Sequence, residues 1–253
     1  MANIPPENAV PMGFQVEVQQ AEKQNQAAKL MLLRAEAQSA PWGALGVQFI
    51  NQDQTLSKVW EKVIVFTGHR IDAADRESPR FPQANEPQAR AALRQAVESQ
   101  ISQGTGPLLG ISGGANGGDI LFLEVCEELG VATEMMLALP QEQYIDLSVV
   151  GEDSGWLERF HTQMERHPDP PILAGVLTLP PWLQFKSGYD IWRRNNAWLL
   201  SSALSHSPKR LILIALWDGK AGDATGGTEH MVNMAKRWGA HIVHLDTVKL
   251  FGL

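Results

Sequence analysis

The chain has 253 residues, 44% of them hydrophobic, and a formal net charge of −7. That length can bury a full α/β core without staples, and the acidic balance argues against a polyanion such as DNA as partner. The single cysteine, Cys126, excludes a disulfide framework within the chain, and no apolar run reaches membrane-spanning length.

A soluble, cytoplasmic protein is the expectation. The start, Met1-Ala2-Asn3-Ile4-Pro5-Pro6, has no charged n-region with an apolar core behind it, so it does not read as a secretory signal. Residues 1–58 are rich in Gln, Ala and Glu, and Gln15 to Gln38 favours helix. They are expected to form an N-terminal helical arm or linker.

From residue 59 onward the pattern changes. Val63-Ile64-Val65-Phe66 is a short apolar run ending in Thr67-Gly68, the signature of a buried parallel strand. Residues 86–103 read as a helix with Leu93, Ala96, Val97 and Ile101 on its apolar side. Leu108 to Ser112 reads as a second strand, 117–129 as a helix stopped by Gly130, and Ala132 to Leu139 as a third strand. A helix is expected at 153–165, followed by a Pro-rich irregular excursion over 166–187. Tyr189 to Ser205 is helical, Arg210 to Trp217 is the central strand, Gly226 to Trp238 is loop and helix, and Ala240 to Leu245 is the last strand. Cys126 falls in the apolar stretch of the second helix and reads as a buried, inert thiol. The alternation predicts an α/β fold over 59–253: a Rossmann-like, mostly parallel sheet with helices on both faces, plus the N-terminal arm.

In open parallel sheets ligands sit beyond the carboxyl ends of the strands, and three strands here run into polar or glycine-rich loops. The first loop offers Gly68, His69 and Arg70; a plain strand-end turn is the bland alternative. The second is Ser112-Gly113-Gly114-Ala115-Asn116-Gly117-Gly118-Asp119, where glycines let backbone approach a ligand and the next helix presents unpaired N–H groups. Its candidate ligand contacts are Ser112, Gly113, Gly114, Ala115, Gly117, Gly118 and Asp119. Asp119 reads equally as a helix cap or as a partner for ribose hydroxyls. The third loop supplies Asp218, Gly226, Gly227, Thr228 and Glu229. A fourth element places Arg194 and Asn195 near a helix entrance, suited to a phosphate or simply to solvent. Gly114→Val or Gly227→Val is expected to abolish binding by blocking backbone approach. No histidine or cysteine spacing suggests a metal site, no cofactor is expected, and the Walker and Gly-x-Ser-x-Gly patterns are absent.

As an ordered set, Thr67-Gly68-His69-Arg70, Gly113 to Asp119, Arg194-Asn195, and Trp217-Asp218-Gly219 followed by Gly226-Gly227-Thr228-Glu229 resemble the SLOG superfamily over about residues 61–247. That superfamily groups the cytokinin-activating LOG proteins, the Smf/DprA DNA-processing proteins and bacterial nucleotide-sensor domains. The chain looks most like the sensor domains found beside TIR, tetratricopeptide or cyclase modules. The resemblance implies recognition of a nucleotide-derived signal, such as a cyclic nucleotide or an ADP-ribose derivative, in bacterial signalling or defence. It also implies paired subunits and a fused or associated effector.

Two other functions follow from the same resemblance. A LOG-like phosphoribohydrolase would cleave a nucleoside monophosphate with Arg194 and Glu229 as its catalytic pair. The LOG segment Pro-Gly-Gly-x-Gly-Thr-x-x-Glu is not matched, because Gly226-Gly227-Thr228 runs directly into Glu229. DNA binding, as in the Smf/DprA proteins, ranks third because of the acidic balance.

Overall fold

The computed structural model describes residues 60–151, 155–175, 190–206, 208, 210–222 and 225–253. The arm expected over 1–58 lies outside them, as does the excursion expected over 166–187 from residue 176 on.

Five strands form one parallel sheet in the order β3-β2-β1-β4-β5. In chain order they are β1 (Lys62–Gly68), β2 (Leu108–Ser112), β3 (Ala132–Met135), β4 (Arg210–Trp217) and β5 (His241–Asp246). The helices are α1 (Glu86–Ser102), α2 (Gly118–Glu128), α3 (Gln141–Tyr144), α4 (Gly155–Arg166), α5 (Ile191–Ser205), α6 (Thr228–Arg237) and α7 (Thr247–Phe251). The expected α/β architecture is therefore present, with helices on both faces of the sheet.

The continuous apolar runs of the central strands have a direct cause. Strand side chains alternate between faces, and here each face meets a separate core. Ile64 and Phe66 of β1, with Ile212, Ile214 and Leu216 of β4, pack among residues of α1, α2 and α4. Val63 and Val65, with Leu211, Leu213 and Ala215, pack among residues of α5 and α6. Gly110 lets α2 press onto β2: a Cβ there would stand 3.1 Å from the ring of Phe122, which stacks on Phe66 at 5.0 Å. Cys126 is buried beside them, and burial pushes its thiol pKa up, as the inert reading expects.

Three departures from the sequence pattern matter for the site. β3 ends at Met135 rather than Leu139, because Ser112, its last partner on β2, ends that ladder. Leu137 instead bonds the start of the excursion, accepting from Leu173 and donating to Pro171. A π-helical turn at Ile145–Val149 follows α3 and has no counterpart in the expected elements. The chain also continues past β5 into α7, capped by Asp246, whose Oδ1 accepts from Val248 N at 3.1 Å. Phe251 of α7 stacks on Phe81 at 5.3 Å, so the chain end braces the loop that follows β1.

Candidate functional site

The strand order reverses between β1 and β4: the chain runs outward from β1 to β3, then returns to build β4 and β5 on the other side. Such a switch point opens a crevice, because the loops after the two strands part in opposite directions. A cleft of about 1080 Å³ lies there. Its walls are the loop after β1, from Gly68 to Gln83, the segment after β4 with Trp217 and Gly222, and the start of α6 with Gly227 and Thr228. Asn116, Val150, Gly151 and Trp156 close the far side.

The start of α6 is the clearest anion-seeking feature. Met231 N donates to Gly227 O at 3.3 Å, whereas the amides of Thr228, Glu229 and His230 have no acceptor among the described residues. Unpaired first-turn amides and the positive end of the helix dipole favour a negative ligand. The turn is held from below by Asn196 of α5, whose Nδ2 donates to Gly226 O at 2.8 Å and lies 3.1 Å from His230 Nδ1. Gly226 has φ 74°, and a Cβ on it would come within 2.6 Å of Arg193 N, so glycine is required for this turn to rest on α5. Burial, then Arg193 and Arg237, lowers the pKa of His230.

The glycine loop after β2 behaves differently. Most of its amides donate into the protein: Gly114 N to the Tyr144 hydroxyl at 3.0 Å, Ala115 N to Asp119 Oδ2 at 3.3 Å, Asn116 N to Ser148 O at 2.9 Å and Gly118 N to His69 O at 3.1 Å. A Cβ at Gly113 would stand 2.8 Å from the Tyr144 hydroxyl, one at Gly114 would meet Met135 and Phe160, and one at Gly118 would meet Phe66. These glycines serve packing of protein on protein. Asp119 does not line the cleft, and desolvation raises its pKa to about 7 against the lowering pull of the Ala115 amide and Arg70.

The loop after β1 supplies the cations. Arg70 is exposed, donates through Nη1 to Leu147 O at 2.6 Å, and has no ion pair among the described residues. Asp72 ties the loop shut: its Oδ2 accepts the amides of Arg80 and Phe81, each at 2.7 Å, and Arg76 Nε lies 3.4 Å from Oδ1. Arg80 Nε reaches Asp218 Oδ2 at 3.4 Å, while His69 Nε2 lies 3.1 Å from Asp218 Oδ1 and accepts the Asp218 amide at the same distance. The loops after β1 and β4 are thereby joined by one carboxylate.

Of the residues singled out in the sequence, Gly68, His69, Arg70, Gly227 and Thr228 line the cleft, and Asp218 fixes His69 from behind. Ser112, Gly113, Gly114, Ala115, Gly117, Gly118 and Asp119 do not line it, nor do Gly226, Arg194, Asn195 and Glu229. Asn116 lines the cleft within a motif whose other members do not. Sequence reasoning missed Asp72, Arg76, Arg80, Val150 and Trp156. The visible signal for the first three was the mixture of Arg and Asp from Arg70 to Arg80, a stretch without apolar periodicity.

Among the described residues no helix is long and apolar enough to cross a membrane, and no group of three metal-ligating side chains is present. No family model matches the chain, and no curated protein matches it. Among solved structures it is similar to DNA processing protein A (DprA) from Streptococcus pneumoniae. The two share 11% identity with a TM-score of 0.34, over 96% of this chain and 93% of that one.

Proposed function

We propose that the chain is a SLOG-type domain that binds a nucleotide-derived small molecule, a cyclic nucleotide or an ADP-ribose derivative, as a signal. The observation that carries this reading is the unpaired first turn of α6 opening, through Gly227 and Thr228, into the switch-point cleft. A phosphate placed there gains several N–H donors that have no acceptor among the described residues. Arg70 adds a cation at the rim. A volume of about 1080 Å³ has room for a base and ribose beside the phosphate. Backbone donors also explain how a chain of net charge −7 holds an anion. Coupling to a partner subunit or effector domain belongs to the same proposal.

Isothermal titration of the full chain against cyclic nucleotides and ADP-ribose isomers tests the reading. Saturable heat from at least one of them is expected. Absence of heat from all of them sinks the proposal.

A further inference from the structure

We infer that Asn116 reads the base of the ligand: its side-chain carbonyl accepts the exocyclic amino group of an adenine, so the cleft selects adenine nucleotides over their hypoxanthine counterparts. The inference rests on the nucleotide-binding reading above and names the base that reading leaves open.

Asn116 is fixed on two sides of its own amide. Its backbone N–H donates to Ser148 O at 2.9 Å, and its Nδ2 donates to Val149 O at 3.0 Å. Arg70 Nη1 donates to the preceding carbonyl, Leu147 O, at 2.6 Å. Two residues of the cleft wall thus hold three successive carbonyls of the π-helical turn. Turns of this kind recur at functional sites.

With Nδ2 committed to Val149 O, the orientation of the side-chain amide is set, and Oδ1 is the atom left over. Asn116 is only 5% exposed, and its Oδ1 is buried without a hydrogen-bond partner. Of the buried side-chain atoms in that condition among the described residues, Asn116 Oδ1 alone belongs to the cleft wall. A buried acceptor left unpaired costs stability, and a ligand that brings it a donor recovers that cost on binding.

The neighbours of Asn116 decide which donor fits. Val150 follows the carbonyl that Asn116 holds, lines the cleft and is 53% exposed. Gly151 also lines the cleft, and a Cβ on it would stand 3.4 Å from Asn116 Nδ2. An exposed apolar side chain suits the face of a flat ring, and the amide beside it suits a donor on the edge of that ring. A ribose hydroxyl would meet the acceptor and gain nothing from Val150. A side-chain amide carbonyl accepting from the adenine amino group is the ordinary pairing of these two groups. Hypoxanthine carries a carbonyl oxygen at the same ring position, so two acceptors would face each other. The first turn of α6 and Arg70 remain for the phosphate, and all of these residues line one cleft.

The test titrates the full chain by calorimetry with 3′,5′-cyclic AMP against 3′,5′-cyclic IMP, and with ADP-ribose against inosine diphosphate ribose. The members of each pair differ only in the base. The adenine member is expected to bind about 10- to 100-fold more tightly, the range for a buried acceptor paired rather than opposed. Asn116→Leu, close in size and without the acceptor, brings that ratio near one. Asn116→Ala gives the same reading should the leucine variant not fold. Equal affinities of the natural chain for both members overturn the base assignment and leave the binding reading standing. A variant that weakens both members equally and keeps the ratio also overturns it, since that is the mark of a merely supporting residue. Heat from none of the cyclic nucleotides and ADP-ribose isomers overturns both proposals.

Discussion

Gly117 of the glycine loop lies against Ile71 so closely that a Cβ on it would stand 2.7 Å from the Ile71 backbone nitrogen. Its φ is 78°, in the left-handed region that side chains disfavour. The contact seats the loop after β2 directly under the loop after β1, which carries His69 and Arg70. Gly117→Ala is expected to cost at least about 1–2 kcal/mol from the backbone conformation alone, and to displace residues 70–71. Urea unfolding measures the cost, and weaker nucleotide binding by the folded fraction measures the displacement.

The two glycine loops should answer differently to the same substitution. Gly114→Val drives a side chain into Met135 and Phe160 and should lower stability by about 1–3 kcal/mol or more, as overpacking does. Gly227 has φ −70°, which any residue adopts, and it lines the cleft. Gly227→Val should leave the melting temperature near that of the natural chain while abolishing nucleotide binding. Equal destabilisation by both would show that Gly227 is a packing residue as well.

Asn196 aims an N–H at Gly226 O and lies within 3.5 Å of Gly227 O. Asn196→Ala removes the donor and should cost about 1–3 kcal/mol, since it leaves carbonyls unpaired. Asn196→Asp should be worse, because a carboxylate would face two carbonyl oxygens with no proton to share. The order natural chain, alanine, aspartate in chemical denaturation checks this. Equal midpoints for all three would remove Asn196 as the support of the α6 turn.

Asp119 makes the fold pH-dependent in an unusual direction. Its carboxyl pKa is raised from 3.8 to about 7 in the folded chain by burial. A carboxyl that binds its proton more tightly when folded contributes fully below its unfolded pKa of 3.8, and the contribution is lost as pH rises to about 7. The loss is on the order of a few kcal/mol. Asp119→Asn keeps an acceptor for the Ala115 amide without the charge. It should melt higher than the natural chain at about pH 8 and close to it at about pH 4. Parallel melting curves across that range would refute the shift.

Arg70 tests the electrostatic part of the binding proposal. It is exposed, and its only hydrogen bond among the described residues is to a backbone carbonyl. Arg70→Ala should therefore change stability little, within about 0.5 kcal/mol. It should weaken nucleotide affinity by about 1.5–3 kcal/mol, the range of a hydrogen bond to a charged group, with a shallower dependence on salt. Unchanged calorimetric affinity would remove Arg70 from the ligand.

The strands and most helices were legible along the chain because each is a local pattern. Val63-Ile64-Val65-Phe66 and Leu211 to Leu216 read as strands buried on two sides, and Gly130 marks the end of α2. Short elements without such patterns were not legible. The π-helical turn at Ile145–Val149 is held by long-range bonds, since Arg70 and Asn116 donate to its carbonyls. The helix α7 has five residues, too few to show a period. The extent of β3 depended on where its neighbour β2 ended.

Local order alone determined the parallel α/β architecture and the placing of polar loops at the strand ends, because strand periodicity and glycine breaks are properties of adjacent residues. Tertiary structure decided which glycines face a ligand and which face protein. Ser112 to Asp119 and Gly226 to Glu229 carry similar letters, yet Tyr144, Ser148 and His69 occupy the hydrogen-bonding capacity of the first while the first turn of α6 keeps its own. It also brought His69 to Asp218 across 149 positions. Hydrogen bonds and charges act through space, so no window along the chain holds both partners.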